Sequence, residues 1–153
     1  MAQDIPGLRT ARFRDLDAHT LYGLLKLRVD VFVVEQECPY PELDGRDTLP
    51  STWHLWFPGP DHLPLAYLRM LDEPGGAARI GRVAVAPAAR GTGLAGRLMD
   101  AALELVGDRS CVLDAQAYLV AFYRRYGFSP TGPEYLEDGI PHVPMARPPA
   151  PRS

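Results

Sequence analysis

The stretch Arg82-Val83-Ala84-Val85-Ala86-Pro87-Ala88-Ala89-Arg90-Gly91-Thr92-Gly93-Leu94-Ala95-Gly96 runs from a β-strand pattern, through a proline and glycine turn, into a helix whose first turn is built from small residues. Small side chains leave the backbone N–H groups of that turn uncovered. Those donors have no intrahelical partner and sit at the positive end of the helix dipole, so they form an anion site. Arg90 adds a fixed positive charge at its entrance. Residues 90–96 therefore read as a cradle for a pyrophosphate.

More than one ligand carries a pyrophosphate. Gly91, Gly93 and Gly96 satisfy the dinucleotide pattern G-x-G-x-x-G, and Asp114 follows at about the distance where that fingerprint places its ribose-binding acid. In that fold, however, the first glycine closely follows the strand. Here Pro87, Ala88, Ala89 and Arg90 intervene, and too little chain follows Gly96 for a second βαβ half. No P-loop Lys-Ser or Lys-Thr follows the glycines, which disfavours an NTPase. A bare strand-to-helix turn needs fewer glycines and no arginine.

Working outward, the pattern predicts a first strand over residues 8–14 and a helix capped by Asp17, with Leu21, Leu24, Leu25, Val29 and Phe32 on one apolar face. The β-branched run 29–34 predicts that this helix is irregular or ends there. A loop rich in proline, glycine and acid follows over 38–47, long enough to be functional. Residues 52–57 and 65–71 read as a hairpin, and 79–85 as the strand before the glycine turn. The next helix spans about 94–106, with Leu94, Leu98, Ala101, Ala102 and Leu105 inward and Arg97, Asp100 and Glu104 facing water. A short strand at 112–115, a helix at 118–126 stopped by Gly127, and one or two more strands near Phe128 and His142 complete the order. The expected class is α/β (α+β): one mixed sheet flanked by helices in a single domain over 1–153, with residues 147–153 a frayed proline-rich tail.

Composition excludes several function classes. The net charge is −3, and acidic and basic residues are interleaved without a polybasic run. Nucleic-acid binding is therefore not expected. No apolar run approaches a membrane span, and residues 1–6 lack the features of a signal peptide, so no membrane partner and a cytoplasmic location are expected. Cys38 and Cys111 are too few for a disulfide framework, and the histidines lack metal-ligand spacing, so no metal is expected. A helix face or an edge strand offers a surface for a homodimer.

Arg90-Gly91-Thr92-Gly93-Leu94-Ala95 resembles the R/Q-x-x-G-x-G/A signature of the GNAT N-acetyltransferase superfamily. The likeness extends to Leu21-Tyr22, Arg28, residues 31–36, Cys38-Pro39-Tyr40, Asp44-Gly45, His54, Ile80-Gly81-Arg82-Val83, Gln116-Ala117, Phe122-Tyr123 and residues 137–142, which together resemble the ElaA-like branch. The resemblance implies a mostly antiparallel central sheet, splayed where acetyl-CoA binds. It implies that Val83, Ala84 and Val85 receive the pantetheine arm and thioester, that residues 90–96 hold the pyrophosphate, and that Gln116 stands where relatives bond the pantetheine.

The implied chemistry is attack of an amine on the acetyl thioester. It needs a donor for the developing oxyanion, implied to be an amide near Val83 or Ala84, and a proton for the leaving thiolate. On spacing alone Tyr123 reads as core; the resemblance makes it the acid, and Tyr126 a packing residue. For the general base, Glu35 and His142 lead, with Glu37 and Asp114 as alternatives and a water chain as another route. His142 and His54 read equally as structural hydrogen bonders. The acidic loop 35–47 suggests a cationic, amine-bearing acceptor. A non-catalytic acetyl-CoA sensor and an NAD-type dinucleotide-binding protein are the competing readings.

Overall fold

The computed structural model describes residues 7–149; the signal-peptide reading of 1–6 and the expected tail beyond residue 149 lie outside them. The strands are β1 (Arg9–Ala11), β2 (Trp53–Phe57), β3 (Ala66–Asp72), β4 (Ala78–Val85), β5 (Cys111–Gln116), β6 (Ser129–Pro130), β7 (Tyr135–Glu137) and β8 (Ile140–Arg147). The helices are α1 (Ala18–Val29), α2 (Leu94–Val106) and α3 (Val120–Arg124). One open, mixed sheet takes the order β1-β2-β3-β4-β5-β8-β6, with β7 added on β8. Every pairing is antiparallel except β4 with β5.

That exception shapes the molecule. β4 and β5 pair only at Ala78↔Cys111 and Arg79↔Val112. Beyond these, β4 stays with β3 and β5 stays with β8, and the sheet opens into a V. β4 also carries a bulge. Its register against β3 steps from Arg69↔Gly81 to Tyr67↔Ala84, so Arg82 and Val83 together oppose Leu68. Arg82 sits there at φ 55°, in the left-handed region.

α2 covers one face of the sheet, burying Leu98, Met99, Ala101, Ala102 and Val106 against Leu55, Leu68 and Met70. Its bounds agree with the periodicity, and Asp100 and Glu104 are exposed as expected. Arg97 departs from expectation: its stem is half-buried and its guanidinium lies 4.7 Å over the Phe57 ring. α1 covers the other face. Asp17 caps it by accepting the Thr20 N–H at 2.7 Å. The buried side is rotated from the predicted one: Leu24, Leu27 and Val31 enter the core, while Leu21, Leu25, Val29 and Phe32 are only half-buried. Arg28 is buried beside them, which an apolar-stripe count cannot find.

Other expectations need correcting. The first strand is short, and Phe13–Asp15 forms a 3-10 turn. The β-branched run forms a π-helical continuation of α1, Asp30–Glu35. The predicted helix 118–126 is a 3-10 turn, Ala117–Leu119, followed by the short α3, and Gly127 at φ 91° ends it. Arg147, placed in the frayed tail from sequence, closes β8 instead. It pairs in register with Cys111 and its Nε donates to the Tyr126 carbonyl at 3.0 Å. Cys38 and Cys111 are free and buried. Burial pushes the Cys111 thiol up to about 11.

Candidate active site

The V between β4 and β5 opens into a cavity of about 980 Å³. Val83, Ala84 and Val85 line it from β4, Arg90 and Ala95 from the glycine turn, Gln116 from the end of β5, Tyr123 from α3, His142 from β8 and Glu35 from the π-helical segment. Nine side chains singled out from the sequence thus converge on one space. Gly91, Thr92, Gly93 and Leu94 lie between Arg90 and Ala95 in the chain without lining it, and form the rim at that end.

The rim has the features of an anion cradle. Gly91 and Gly93 take φ 79° and 84°, and a Cβ built on either meets nothing within 4 Å. α2 starts at Leu94 with no side-chain cap, so its first amides are left to an external acceptor. The residues fit a pyrophosphate group here. Gly96 has a different duty: a Cβ on it would lie 2.5 Å from the Tyr126 hydroxyl, so this glycine admits the tyrosine rather than the ligand. Tyr126 packs on Phe122 at 5.3 Å between ring centroids.

Tyr123 is 5% exposed, and burial raises its phenol above the ordinary tyrosine range, so it stays protonated at neutral pH. His142 Nδ1 lies 2.7 Å from the Ile140 carbonyl. A carbonyl only accepts, so Nδ1 carries a proton, and Nε2 is the nitrogen that holds the lone pair in the neutral ring. Tyr135 stacks on the same ring at 5.9 Å.

Two bridges tie the π-helical segment to the two arms of the V. Arg90 donates to both oxygens of Glu35 at 2.6 Å each, and its Nε donates to the Val85 carbonyl at 3.1 Å. This hydrogen bonding holds the Glu35 carboxyl below its usual range, so Glu35 is engaged by Arg90 here and weak as a base. On the other arm the Gln36 and Gln116 side-chain amides exchange hydrogen bonds at 3.4 and 3.2 Å. Of the remaining candidate bases, Glu37 does not line the cavity, and Asp114 accepts from Arg79 at 2.7 Å.

Sequence reasoning missed the polar cluster under the far end of the cavity. Buried Arg28 donates to Glu42 at 2.6 Å and to Asp47 at 2.7 Å. Arg69 donates to Asp44 at 2.5 Å and to Asp47 at 2.9 Å, and Arg82 donates to Glu42 at 2.9 Å. Burial opposes ionisation of Asp44, but the hydrogen bonds from Arg69 and Arg46 outweigh it and hold the carboxyl well below the usual range. The carboxylates of Glu42, Asp44 and Asp47 in the acidic loop are therefore paired with arginines of α1, β3 and β4. His54, buried, bridges the Tyr67 hydroxyl at 2.7 Å and the Asp47 carbonyl at 3.0 Å, and burial lowers its pKa. Its duty is structural. The only sequence signal for this cluster was the coincidence of arginines in strands with acids in one loop.

The acetyltransferase (GNAT) domain family matches residues 54–148. The chain is similar to a UPF0039 protein of Mycobacterium tuberculosis, 56% identical over 144 residues and spanning 92% of each chain. Its fold is similar to the crystal structure of ElaA from Escherichia coli, with a TM-score of 0.85, 39% identity, and 92% of this chain and 97% of that one covered. It is likewise similar to an acyl-CoA N-acyltransferase from Pseudomonas aeruginosa, with a TM-score of 0.84, 47% identity and the same coverage of 92% and 97%. No helix among the described residues is long and apolar enough to cross a membrane. A splayed β4–β5 pair, an open glycine cradle at its rim and these relatives agree: the chain belongs to the GNAT acetyltransferase family, whose chemistry is acyl transfer from acyl-CoA.

Proposed function

We propose that this protein is an N-acetyltransferase that uses acetyl-CoA and passes the acetyl group to an amine by direct attack. The observation that carries this reading is the cavity itself. It joins an uncapped, glycine-lined helix start at one end to a buried phenol and a histidine with a defined tautomer at the other. Bound acetyl-CoA supplies the acetyl thioester as electrophile. The amides of 91–95 and the Arg90 guanidinium hold its pyrophosphate, and the bulged edge of β4 receives the pantetheine arm.

The amine lone pair forms the new C–N bond as the C–S bond breaks. An amide at Val83 or Ala84 donates to the carbonyl oxygen as negative charge gathers there, a kind of contact worth on the order of 10²–10³ in rate. His142 Nε2 takes the proton from the amine. Tyr123 gives its proton to the sulfur, leaving an amide and a free thiol. Burial suits Tyr123 to this, because it favours the neutral phenol, the form that can donate a proton. Glu137 and Asp138 line the acceptor side of the cavity and favour a cationic amine.

Thermal-shift titration with acetyl-CoA, coenzyme A and NADH tests the reading. A ligand that binds only the native state raises stability by RT ln(1 + [L]/Kd), about 2.7 kcal/mol at a hundred times Kd. Stabilisation by the coenzyme A pair and thiol release with an amine panel are expected. Stabilisation by NADH alone overturns the cradle assignment, and binding without thiol release overturns the transferase.

A further inference from the structure

The β4 bulge holds an arginine where backbone sterics favour glycine. L-residues keep a φ near Arg82's 55° only where their surroundings over-determine it. Here the surroundings grip the side chain. Arg82 Nε donates to Glu42 Oε2 at 2.9 Å, and its terminal nitrogen donates to the Glu42 carbonyl at 3.0 Å and to Asp44 at 3.5 Å. Glu42 is itself immobilised. Its Oε2 also accepts Arg28 Nε at 2.6 Å, its Oε1 accepts the Tyr40 hydroxyl, and its side chain is 3% exposed. Arg28 is in turn held by Asp47 at 2.7 Å. A line of charge-assisted hydrogen bonds therefore runs from α1, through the 40–47 loop, to the one strained residue in β4. A guanidinium bonded to both a carboxylate and a carbonyl is fixed in orientation, not only in position.

Val83, the residue after Arg82, is one of the two whose amide the acyl-transfer reading assigns to the thioester carbonyl, and Ala84 is the other. The peptide between Arg82 and Val83 is free of regular ladder pairing, because these two residues share Leu68 as their partner. Glycine at position 82 would reach the same φ without strain, but nothing would hold that peptide in one direction. We propose that Arg82, clamped by Glu42, is a positioning residue that aims the bulge amide at the acyl carbonyl oxygen. This inference rests on the acetyltransferase reading and adds a residue to it.

The test uses Arg82→Gly, in which the φ is permitted and the clamp is lost. Acetyl-CoA labelled with carbon-13 at the carbonyl reports the hydrogen bond directly, because a donor on the oxygen moves the carbonyl resonance downfield. Free coenzyme A lacks that carbonyl and serves as the control ligand. With wild-type protein a downfield shift and a preference for acetyl-CoA over coenzyme A are expected. In Arg82→Gly the shift should return toward its free value and the preference should fall by about threefold to tenfold, while coenzyme A affinity is retained. Turnover should fall on the order of 10², as for a misplacement near 1 Å. A purely structural role would move the melting temperature and leave the carbonyl shift intact. If Arg82→Gly does not fold, Arg82→Lys, which keeps the charge but not the two-point grip, decides on the same two readouts. A carbonyl shift unchanged from wild type in the folded variant overturns the role of Arg82 alone. A wild-type protein that binds no acetyl-CoA overturns the transferase reading, and this inference with it.

Discussion

Replacing Glu35 by alanine should tighten coenzyme A binding, although Glu35 lines the cavity. Each of the three nitrogens of Arg90 already donates to a protein oxygen, two of them to Glu35 at 2.6 Å. An arriving pyrophosphate must draw the guanidinium away from that carboxylate. Both side chains are 43% exposed, so the pair is screened by solvent and falls in the class worth about 0.2–1 kcal/mol. Its bidentate geometry puts it near the upper end. Removing the competitor therefore improves affinity by up to about 1 kcal/mol, or about fivefold. Isothermal titration with coenzyme A at low and high salt measures it, and the gain should shrink as salt screens the pair. The effect has a pH sign. Arg90 holds the Glu35 pKa below its usual range, so the competition is complete above the ordinary carboxylate pKa and fades as pH falls through the lowered one. Weaker binding in Glu35→Ala, at any salt, would refute the argument and make Glu35 a residue that holds Arg90 ready for the anion.

Five further outcomes are expected. Tyr123→Phe should lower turnover by about 10²–10⁴ with coenzyme A affinity unchanged in titration, because only the proton donor is lost. Gly93→Glu should abolish the coenzyme A thermal shift, since the new carboxylate fills open space beside the uncapped start of α2; a retained shift would move the cradle elsewhere. Gly96→Ala should cost about 1–3 kcal/mol in urea denaturation through its 2.5 Å approach to the Tyr126 hydroxyl, and Tyr126→Phe should restore much of it. Arg28→Ala should cost about 1.5–3 kcal/mol by removing one arginine from buried Glu42 and Asp47, which then keep only Arg82 and Arg69 as partners. In the wild type, the depressed Asp44 and Asp47 pKa values make the paired loop's contribution full above the unfolded carboxylate range. It should be lost as pH falls through the folded values, read as a falling melting temperature in acid.

The lower stability expected in acid and the affinity gain in Glu35→Ala share an origin. Arginine–carboxylate pairs join the apolar packing between α1, the 40–47 loop and the sheet. On that face the apolar cluster is small: Leu24, Leu27, Val31, Tyr67 and Ala84. Polar residues fill the remaining space and position the edges of the V. Such an interior is more sensitive to loss of one partner than an apolar one, since each unpaired charge is left desolvated.

Local chemistry determined much of this protein from sequence alone. The bounds of α2 follow from its period, the β2–β3 hairpin from alternation around a turn-rich linker, and the uncapped start of α2 from glycines between a strand and a helix. Each signal is written within about one or two turns of chain, where backbone sterics and hydrogen bonding act. The duty of Gly96 was not local: the pattern assigned it to the ligand, whereas Tyr126 occupies the space beside it. The face of α1 was misjudged because a buried arginine replaces an apolar residue there, and only partners 14 and 19 residues away make that burial tolerable. The Glu35–Arg90 and Gln36–Gln116 bridges span 55 and 80 residues. Their geometry, like the divergence of β4 from β5 and the left-handed turn at Arg82, is decided by which strands become neighbours. Charge pairing depends on distance in space, and distance in space is a property of the assembled sheet rather than of any segment within it.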